Sequence, residues 1–564
     1  MQPAAVNERA SAPWDRDRWL SGALQALRLT AAFGLLSWCV SVRWPAPTAL
    51  SAFVLPAVDV VILLALFVLF APREGACVGR FAALGATGLV SVRLGRIADG
   101  VCERYLDRRF HVVADLPLIA ELGRLARSSL GSFGFWLALA GLVLGGLMLW
   151  LLMAACLRVL ARALRDRARG DLFLLSAAGA ALLTAAHVPV VSASVMPRVA
   201  HELELWLQAR GQLDDPAHAA QRRDFAARVE AGQRRLRAAP VELSRTGTPD
   251  VHVLLVEAYG HTVQATPAYR RWLAPSYQAF VAAVSGAGYA VCTSAVRATT
   301  FGGNSWLTHA SLQTAVAVYD QFEYGLLVEQ RPAASVARAF ASAGYRTVSI
   351  KPGTTRPSPH TQMYGFEREY VARDFGYRGP SYAWSPMPDQ FVLQHIAQRE
   401  LAQPARPLFL EYALVTSHFP WTPQPPYVPG GQNLGDGSLY RSQPVLEFDQ
   451  PEGELSPQAL GYLHSLGYEL RVIADYLTQH VRPNALVLVL GDHQPIAPVA
   501  REDRSRATPL HVLSRRRELL DPLAAIGCTP GMLAARDEPA LGMEDVGVAL
   551  LRLLSGVAPE AGNP

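Results

Sequence analysis

Two apolar runs in the C-terminal half lead directly into side chains that could hold a metal ion. Val251–Val256 is followed by Glu257, and Ala485–Leu490 leads through a glycine into Asp492 and His493. A carboxylate at the end of a strand is suited to bind a cation, and adjacent Asp and His offer one ion a hard oxygen and an imidazole. Glu257 alone could equally be a surface turn carboxylate. The strand before the Asp-His pair makes the metal interpretation stronger than the pair alone does.

The segment 297–312, with the sequence RATTFGGNSWLTHASL, supplies a hydroxyl group between these two runs. Gly302 and Gly303 let the backbone turn sharply and approach a ligand closely, and Asn304 or Ser305 then begins a helix. A hydroxyl at a helix N-terminus lies in positive potential beside backbone N–H groups, which stabilise an alkoxide and the oxygens of an attacked phosphate. The pattern is compatible with a nucleophilic hydroxyl here, although propensity alone favours an ordinary serine N-cap.

Three further polar residues follow apolar runs. His418 comes after Leu408–Leu414 and could hydrogen-bond substrate oxygens or shuttle a proton, or it could be a loop histidine in a polar turn. Lys351, the single lysine of the chain, and Arg356 flank a Gly-Thr-Thr loop after Thr347–Ile350. We expect these two cations to contact a phosphate or a polar headgroup, although basic loop residues are common on any surface.

The elements that must position these side chains begin near Asp250. From there on, short β-branched or apolar runs alternate with helical segments, which predicts βαβ units and a parallel sheet. In such sheets the chemistry collects beyond the carboxyl ends of the strands, so the strand-end residues are expected to converge. Residues 195–249, which precede this domain, predict an amphipathic helical linker, because apolar and charged residues alternate at helical spacing through Phe225–Leu236.

Apolar runs dominate the first 194 residues. A membrane-spanning helix needs about 20 apolar residues. Four stretches meet this requirement: Leu27–Val42, Ala49–Phe70, Phe133–Leu157 and Leu172–Val191. A fifth stretch, Phe81–Ile97, is shorter and carries Arg93.

Arginine placement predicts the orientation of these spans. The Arg-rich segment Arg158–Arg169 is expected on the cytoplasmic side, as is the N-terminus, and the last span then exits outward. An inside start and an outside finish require an odd number of spans, so we predict five. The loop Asp99–Ser132 would lie outside and is long enough for an amphipathic surface helix. The predicted domains are therefore a transmembrane domain over 1–194, the linker over 195–249 and an outer domain over 250–564.

Composition restricts the classes of partner and the cysteine chemistry that can be expected. The net charge of +5 is small for 564 residues and argues against a nucleic-acid partner. The six cysteines show no metal-ligand spacing, and a disulfide between Cys292 and Cys528, the two in the outer domain, stays open. We expect no cleavable signal peptide, because the first apolar stretch lacks a small-residue cleavage site and further spans follow it.

Taken together, these segments resemble the alkaline phosphatase and sulfatase superfamily, and more narrowly its membrane-anchored lipoteichoic acid synthases and phosphoethanolamine transferases. The motifs occur in that family's order. The resemblance implies a five-helix transmembrane bundle joined to a C-terminal α/β domain with a mainly parallel sheet between helices. It implies that Glu257, Ser305, Asp492 and His493 surround one Mn²⁺ or Zn²⁺ ion, and that His418 is the substrate-contacting histidine.

The resemblance also places the nucleophile. Sulfatases carry a Cys or Ser that is converted to formylglycine, followed by Pro and Arg at fixed offsets and then by Ala-Ser-Leu. Ala310–Leu312 matches that tail and sets the nucleophile at Ser305, but the Pro and Arg offsets hold Leu307 and His309. Formylglycine formation is therefore not expected. The synthases and transferases use threonine here, so Ser305 departs from them as well.

Thr299 and Thr300 are the fallback nucleophiles, and His309 and Lys351 are further candidates to steady phosphate oxygens. The resemblance implies a transferase that moves a phosphoglycerol- or phosphoethanolamine-type headgroup from a membrane phospholipid to a glycan or lipid acceptor of the cell envelope. Its place would be the bacterial cytoplasmic membrane, with the catalytic domain outside. Two alternatives stay open: a membrane-bound sulfatase-like hydrolase or phosphodiesterase, and a non-catalytic lipid-binding regulator.

Overall fold

A computed structural model describes residues 16–41, 76–106, 118–165, 215–240, 242–355, 361–402, 404–429, 433–534 and 538–560, with isolated positions between 60 and 66 and between 108 and 115. The chain divides into two compact units, 1–101 with 136–208 and 102–135 with 209–564. The domain boundaries given above stay predictions.

The N-terminal part contains long apolar helices. Their bounds are α1 Arg16–Ser41, α2 Ala76–Leu106 and α3 Leu118–Arg165. Within the described residues, three segments are long and apolar enough to cross a membrane: Leu20–Val40, Val78–Leu106 and Phe133–Leu164. The stretches 49–70 and 172–191 lie largely or wholly outside the described residues, so the number of five spans stays a prediction.

The loop predicted over 99–132 is shorter in the structure. Helix α2 continues to Leu106 and α3 begins at Leu118. At its N-terminal end the prediction was wrong, because the apolar span of α2 runs on to Leu106. At its C-terminal end the next apolar span begins at Phe133, as predicted, and the residues from Leu118 that precede it are helical because Ala, Leu, Arg and Glu favour helix. Within the first unit, Ala82 and Ala86 of α2 are fully buried, as is Leu157 of α3. Small residues at such contacts allow helices to approach closely.

The second unit contains helix α4, Asp215–Ala238, which falls in the predicted linker. Its apolar side chains, among them Phe225 and Leu236, are buried in the α/β domain. Gln233 donates to the carbonyl oxygens of Thr314 and Ala334. The helix is thus an integral part of this unit.

The α/β domain is built on a sheet of nine strands within the described residues. Their bounds are β1 Asp250–Val256, β2 Ala290–Arg297, β3 Arg346–Lys351, β4 Arg368–Val371, β5 Leu408–Leu414, β6 Ala485–Gly491, β7 Ala507–Ser514, β8 Thr529–Pro530 and β9 Leu541–Gly542. The order is β4-β3-β5-β1-β6-β7-β2-β8, with β9 on β2. The α/β prediction is confirmed, with one correction: the sheet is mixed.

Strands β4, β3, β5, β1 and β6 are parallel, whereas β7 is antiparallel to both β6 and β2. The reason is the short connection from β6 to β7, because antiparallel neighbours need no crossover helix. The central strand β1 is buried along its whole length. A strand covered on both faces carries a continuous apolar run, as 251–256 does.

Helices cover both faces of the sheet. Their bounds are α5 Thr262–Ala265, α6 Pro267–Gly286, α7 Ser305–Thr314, α8 Gln321–Gln330, α9 Val336–Ser342, α10 Asp389–Ile396, α11 Pro457–Gln479, α12 Ala497–Ala500 and α13 Met543–Leu554. One apolar cluster joins α6, α10 and α11 to the sheet, and another joins α9 and α13 to its opposite face. Cys292 of β2 and Cys528 form a disulfide, with Cα atoms 5.5 Å apart.

Candidate active site

The register of two central strands brings the predicted metal ligands together. Val256 of β1 pairs with Gly491 of the parallel strand β6, so the residues that follow each strand lie side by side. One potential ligand atom each of Glu257, Asp492 and His493 lies within 4.8 Å of the others, and all three residues are buried. Among the described residues this is the one group of three or more such side chains close enough to share an ion.

Ser305 lies against this cluster. Its Oγ donates to Glu257 Oε2 at 2.8 Å and lies 3.2 Å from His493 Nε2. Asn304, with φ of +63°, turns the backbone so that Ser305 is the first residue of α7. A Cβ atom at Gly302 would lie 2.4 Å from the carbonyl oxygen of Tyr105, so this turn requires a glycine. The hydroxyl is therefore held at a helix start, beside a carboxylate and an imidazole.

Asp492 is oriented by the backbone. Its Oδ1 accepts from the N–H groups of Ala258, at 2.8 Å, and His493, at 2.7 Å. Its Oδ2 lies 3.8 Å from His493 Nε2. Ala258 adopts a φ of +56°, a strained conformation for alanine that points its N–H at this carboxylate. One oxygen of Asp492 is thus fixed by main-chain donors while the other faces the cluster.

His493 presents Nε2 to the cluster. Its Nδ1 donates to the carbonyl oxygen of Gln494 at 2.7 Å, an assignment that follows from the hydrogen-bond pattern. In the neutral ring the lone pair is then on Nε2, which lies 3.2 Å from Glu257 Oε1. A backbone partner on the other ring nitrogen is the usual way in which a metal-binding histidine is oriented.

The electrostatics of the cluster reflect an excess of negative charge. Burial, and then Glu257, raise the pKa of Asp492 to about 7. Burial lowers the pKa of His493, but Asp492 and Glu257 outweigh it and raise that pKa to about 9. Burial also opposes ionisation of Glu257, yet His418 and His493 lower its pKa to about 2. The negative charge of the cluster therefore keeps protons bound to Asp492 and His493. A divalent cation could take the place of these protons.

The donor set fits such a cation. Two carboxylates, one imidazole and one hydroxyl suit Zn²⁺ or Mn²⁺, and the four side chains converge from three places in the fold: the end of β1, the end of β6 and the start of α7. Glu257, Asp492, His493 and Ser305 are the residues that could hold it.

His418 lies in the turn that follows β5. Ser417 of this turn donates its hydroxyl to the carbonyl oxygen of Glu257 at 2.7 Å. The imidazole of His418 stacks on the ring of Trp384, with centroids 4.2 Å apart, and its Nδ1 donates to the carbonyl oxygen of Phe419. This leaves Nε2 as the nitrogen able to exchange a proton. Sequence reasoning missed Trp384, whose segment has no periodic pattern and gives no signal for a site.

The remaining predicted residues have partners of their own or lie outside the described residues. His309 Nδ1 lies 3.3 Å from Glu411 Oε1, and Lys351 Nζ lies 3.5 Å from Glu369 Oε1. Substrate contact by either stays a prediction. Arg356 lies outside the described residues.

The fallback nucleophile Thr300 differs clearly from Ser305. Its hydroxyl is buried and makes no hydrogen bond within the part of the chain that the structure describes. Thr299 accepts a weak hydrogen bond from Ser311, at 3.4 Å. Within the described residues neither threonine hydroxyl is hydrogen-bonded to the cluster, whereas that of Ser305 is, which makes Ser305 the better-placed hydroxyl.

The domain that carries this site is similar to a known family. Residues 249–510, just under half of the chain, match the family model described as Sulfatase. The α/β domain therefore resembles the sulfatases over most of its length. None of the curated proteins matches the sequence.

Several solved structures are similar in part. The lipoteichoic acid synthase LtaP of Listeria monocytogenes has 11% identity over 58% of this chain and 78% of its own, with a TM-score of 0.35. The phosphoglycerol transferase GacH of Streptococcus pyogenes has 14% identity over 60% and 82%, with a TM-score of 0.36. The C-terminal periplasmic domain of EcEptC of Escherichia coli has 17% identity over 57% and 88%, with a TM-score of 0.37. We draw no functional conclusion from likenesses of this level.

Proposed function

We propose that this chain is a metal-dependent transferase, because its sulfatase-like domain places a serine hydroxyl at a buried cluster of carboxylates. It moves a phosphoglycerol- or phosphoethanolamine-type headgroup from a membrane phospholipid to a glycan or lipid acceptor of the cell envelope, through a covalent Ser305 intermediate. The observation that carries the proposal is the contact of Ser305 Oγ with Glu257 and His493 at the first residue of α7. This arrangement meets the geometric requirement for an activated nucleophile.

The site would hold one Mn²⁺ or Zn²⁺ ion through Glu257, Asp492, His493 and Ser305. When bound, the ion supplies charge that polarises the Ser305 hydroxyl and offsets the negative charge of the phosphoryl oxygens. The protein side chains supply the orientation of the site. Asp492 and His493 are fixed by backbone partners, so the hydroxyl meets an organised site.

In the first half-reaction Ser305 Oγ attacks the phosphorus of the lipid headgroup. The Oγ–P bond forms and the P–O bond to diacylglycerol breaks. Ser305 loses the proton that it donates to Glu257 in the resting state, and the diacylglycerol oxygen gains one proton, which His418 delivers. In the second half-reaction the acceptor hydroxyl attacks phosphorus and gives its proton to His418, the Oγ–P bond breaks, and Ser305 Oγ takes up one proton.

Two observations support an envelope location. The described helices include three that are long and apolar enough to cross a membrane, which fits a lipid donor. The disulfide between Cys292 and Cys528 is typical of proteins outside the reducing cytoplasm. We therefore propose the bacterial cytoplasmic membrane, with the α/β domain on the outer side, in agreement with the arginine distribution.

A hydrolase is the second candidate, because the matching family model is that of the sulfatases. In that case water takes the place of the acceptor hydroxyl in the second half-reaction. The sequence offsets that hold Leu307 and His309 in place of Pro and Arg favour an unmodified serine in either case.

Intact-mass measurement of the full chain tests the proposal. The protein in detergent is incubated with Mn²⁺ and with headgroup-labelled phosphatidylglycerol or phosphatidylethanolamine. We expect a headgroup-phosphate adduct that is absent in Ser305→Ala and present in the control Thr300→Ala. An adduct that persists in Ser305→Ala refutes the nucleophile, and no adduct with either lipid on a metal-loaded protein refutes the transferase. Release of free headgroup phosphate without an acceptor assigns hydrolysis.

A further inference from the structure

A second pair of carboxyl groups lies in the α/β domain, and the proposed chemistry does not use it. Asp389, the first residue of α10, is 0% exposed, and Glu469, in the middle of α11, is 1% exposed. No ion pair joins either group to an Arg, Lys or His of the described residues. Carboxyl groups are rarely buried this completely without a cationic partner, because the charged form loses its hydration.

Asp389 holds the turn that carries His418. Its Oδ2 accepts from the backbone N–H groups of Val415, at 2.7 Å, and Thr416, at 2.6 Å. In return, the N–H of Asp389 donates to Thr416 Oγ1 at 2.9 Å. These three bonds fix the start of the turn, and the N–H of His418 closes it on the carbonyl oxygen of Val415 at 3.1 Å.

The same turn reaches the metal cluster. Ser417 lies between Thr416 and His418, and its hydroxyl donates to the carbonyl oxygen of Glu257. The turn therefore connects Asp389 to Glu257: Asp389 accepts from the N–H of Thr416, and the next residue, Ser417, donates to the backbone of Glu257. His418 follows Ser417 in the same turn, so we expect a shift of the Asp389 carboxylate to displace both residues.

Glu469 is the side-chain neighbour of Asp389, because α10 packs on α11. When both carboxyl groups are ionised, Asp389 Oδ1 and the two carboxyl oxygens of Glu469 have no donor among the described groups. The hydrogen bond between the two side chains therefore requires a proton on one of them. Burial, and then the neighbouring Asp389, raise the pKa of Glu469 well above its usual value. Two ionised carboxylates would repel each other strongly in this environment, so one proton is shared. Asp389, which accepts two backbone N–H bonds, keeps the charge, and Glu469 carries the proton.

We propose that Asp389 and Glu469 are a positioning pair for the reaction. Protonated Glu469 orients the Asp389 carboxylate, the carboxylate fixes the turn 415–418, and the turn places His418 and the backbone of Glu257 for catalysis. The expected effect on turnover rests on the proposed function. The clamp, by which we mean the three hydrogen bonds of Asp389 to Val415 and Thr416, is a property of the fold and can be measured without a substrate.

Three variants of the full chain test the pair. In Glu469→Gln the amide can still donate to Asp389, so kcat stays within about threefold of the wild type. In Glu469→Met the shape is similar but the donor is lost, and kcat falls about 10- to 100-fold with KM nearly unchanged, because His418 is misplaced. The control Glu400→Gln neutralises another buried carboxylate, which pairs with Arg346 at 2.6 Å. We expect this control to leave kcat unchanged.

Hydrogen exchange of the peptide that covers 413–420 gives the second readout. We expect faster exchange at the Val415 and Thr416 amides in Glu469→Met, and wild-type exchange in Glu469→Gln and Glu400→Gln. Equal loss of kcat in Glu469→Gln and Glu469→Met overturns the protonated donor. Unchanged kcat and exchange in Glu469→Met overturn the pair as a whole.

The two proposals fail in different ways. A wild-type chain that binds Mn²⁺ but turns over no lipid refutes the proposed function. In that case exchange decides the clamp on its own: faster exchange confined to 413–420 in Glu469→Met upholds it, and unchanged exchange overturns it.

Discussion

The α/β domain contains two buried pairs of carboxyl groups, and they solve the same electrostatic problem differently. Glu257 and Asp492 lie beside the imidazole of His493, whose Nε2 is 3.2 Å from Glu257. Asp389 and Glu469 have no cationic neighbour among the described residues, and backbone N–H groups reach only Asp389. The first pair could accept a cation together with His493, and in our proposal the second pair shares a proton.

The difference lies in what surrounds the oxygens. In the first pair, the free oxygens face a common point together with His493 and the Ser305 hydroxyl, so they can act as ligands. In the second pair, Asp389 accepts from the main-chain N–H groups of Val415 and Thr416, and Glu469 adjoins Asp389. In both pairs burial acts to raise the pKa of the carboxyl groups, because the charged form loses its hydration. The neighbouring groups then decide whether a metal ion or a proton offsets the buried negative charge.

The sharpest way to break this comparison is to neutralise one glutamate in each pair with the same isosteric change. Glu257→Gln removes a ligand charge, and we expect turnover to fall by about 10³-fold or more, because several kcal/mol of transition-state stabilisation depend on the ion. Glu469→Gln should retain turnover. Initial rates on a labelled phospholipid measure both. Similar losses in the two variants would show that the pairs do not differ in kind.

A smaller effect is expected on metal-dependent stability. A ligand that binds only the folded chain stabilises it by about 2.7 kcal/mol at 100 times its Kd. Thermal unfolding of the wild type and Glu469→Gln should therefore shift upward with added Mn²⁺ or Zn²⁺, whereas Glu257→Gln should not respond. Elemental analysis should find about one ion per chain in the first two proteins. A response of Glu257→Gln equal to that of the wild type would place the ion elsewhere.

The two pairs also differ in how far the sequence predicts them. Glu257, Asp492 and His493 follow long apolar runs, and parallel neighbouring strands end at one edge, so their convergence follows from the pattern. Ser305 follows from the two glycines and the helix start. The α/β fold was predicted on the same grounds. The antiparallel placement of β7 was not, because a short apolar run has no direction of its own.

Asp389 and Glu469 gave no signal in the sequence. Glu469 lies in the middle of a 23-residue helix, and an acidic side chain in such a helix is ordinarily exposed. Asp389 is the first residue of its helix, a position where acidic residues are common. Only the packing of α10 and α11 on the turn after β5 shows that both are buried. Side chains whose role depends on such long-range packing escape local patterns. The partners of His309 and Lys351, Glu411 and Glu369, escaped for the same reason.

The smallest predicted effect concerns pH and separates a shared proton from two ionised groups. Burial and Asp389 raise the pKa of Glu469 in the folded chain above its unfolded value. The stabilisation is therefore fully present below the unfolded pKa of about 4.3, and it is lost as pH rises toward the folded pKa, by at most about 1.4 kcal/mol per pH unit. Glu469→Gln has no proton to lose. Its stability relative to the wild type should grow as pH rises from about 5 to 8.

The difference between the two proteins reports the Asp389–Glu469 pair, because the titrating groups outside it, including those of the metal cluster, are common to both. Thermal unfolding of each protein across that pH range, at one fixed Mn²⁺ concentration, measures it. A difference that stays constant with pH would mean that Glu469 is ionised in the folded chain. The Asp389–Glu469 pair would then need a cation as the Glu257–Asp492 pair does, and the contrast between the two would disappear.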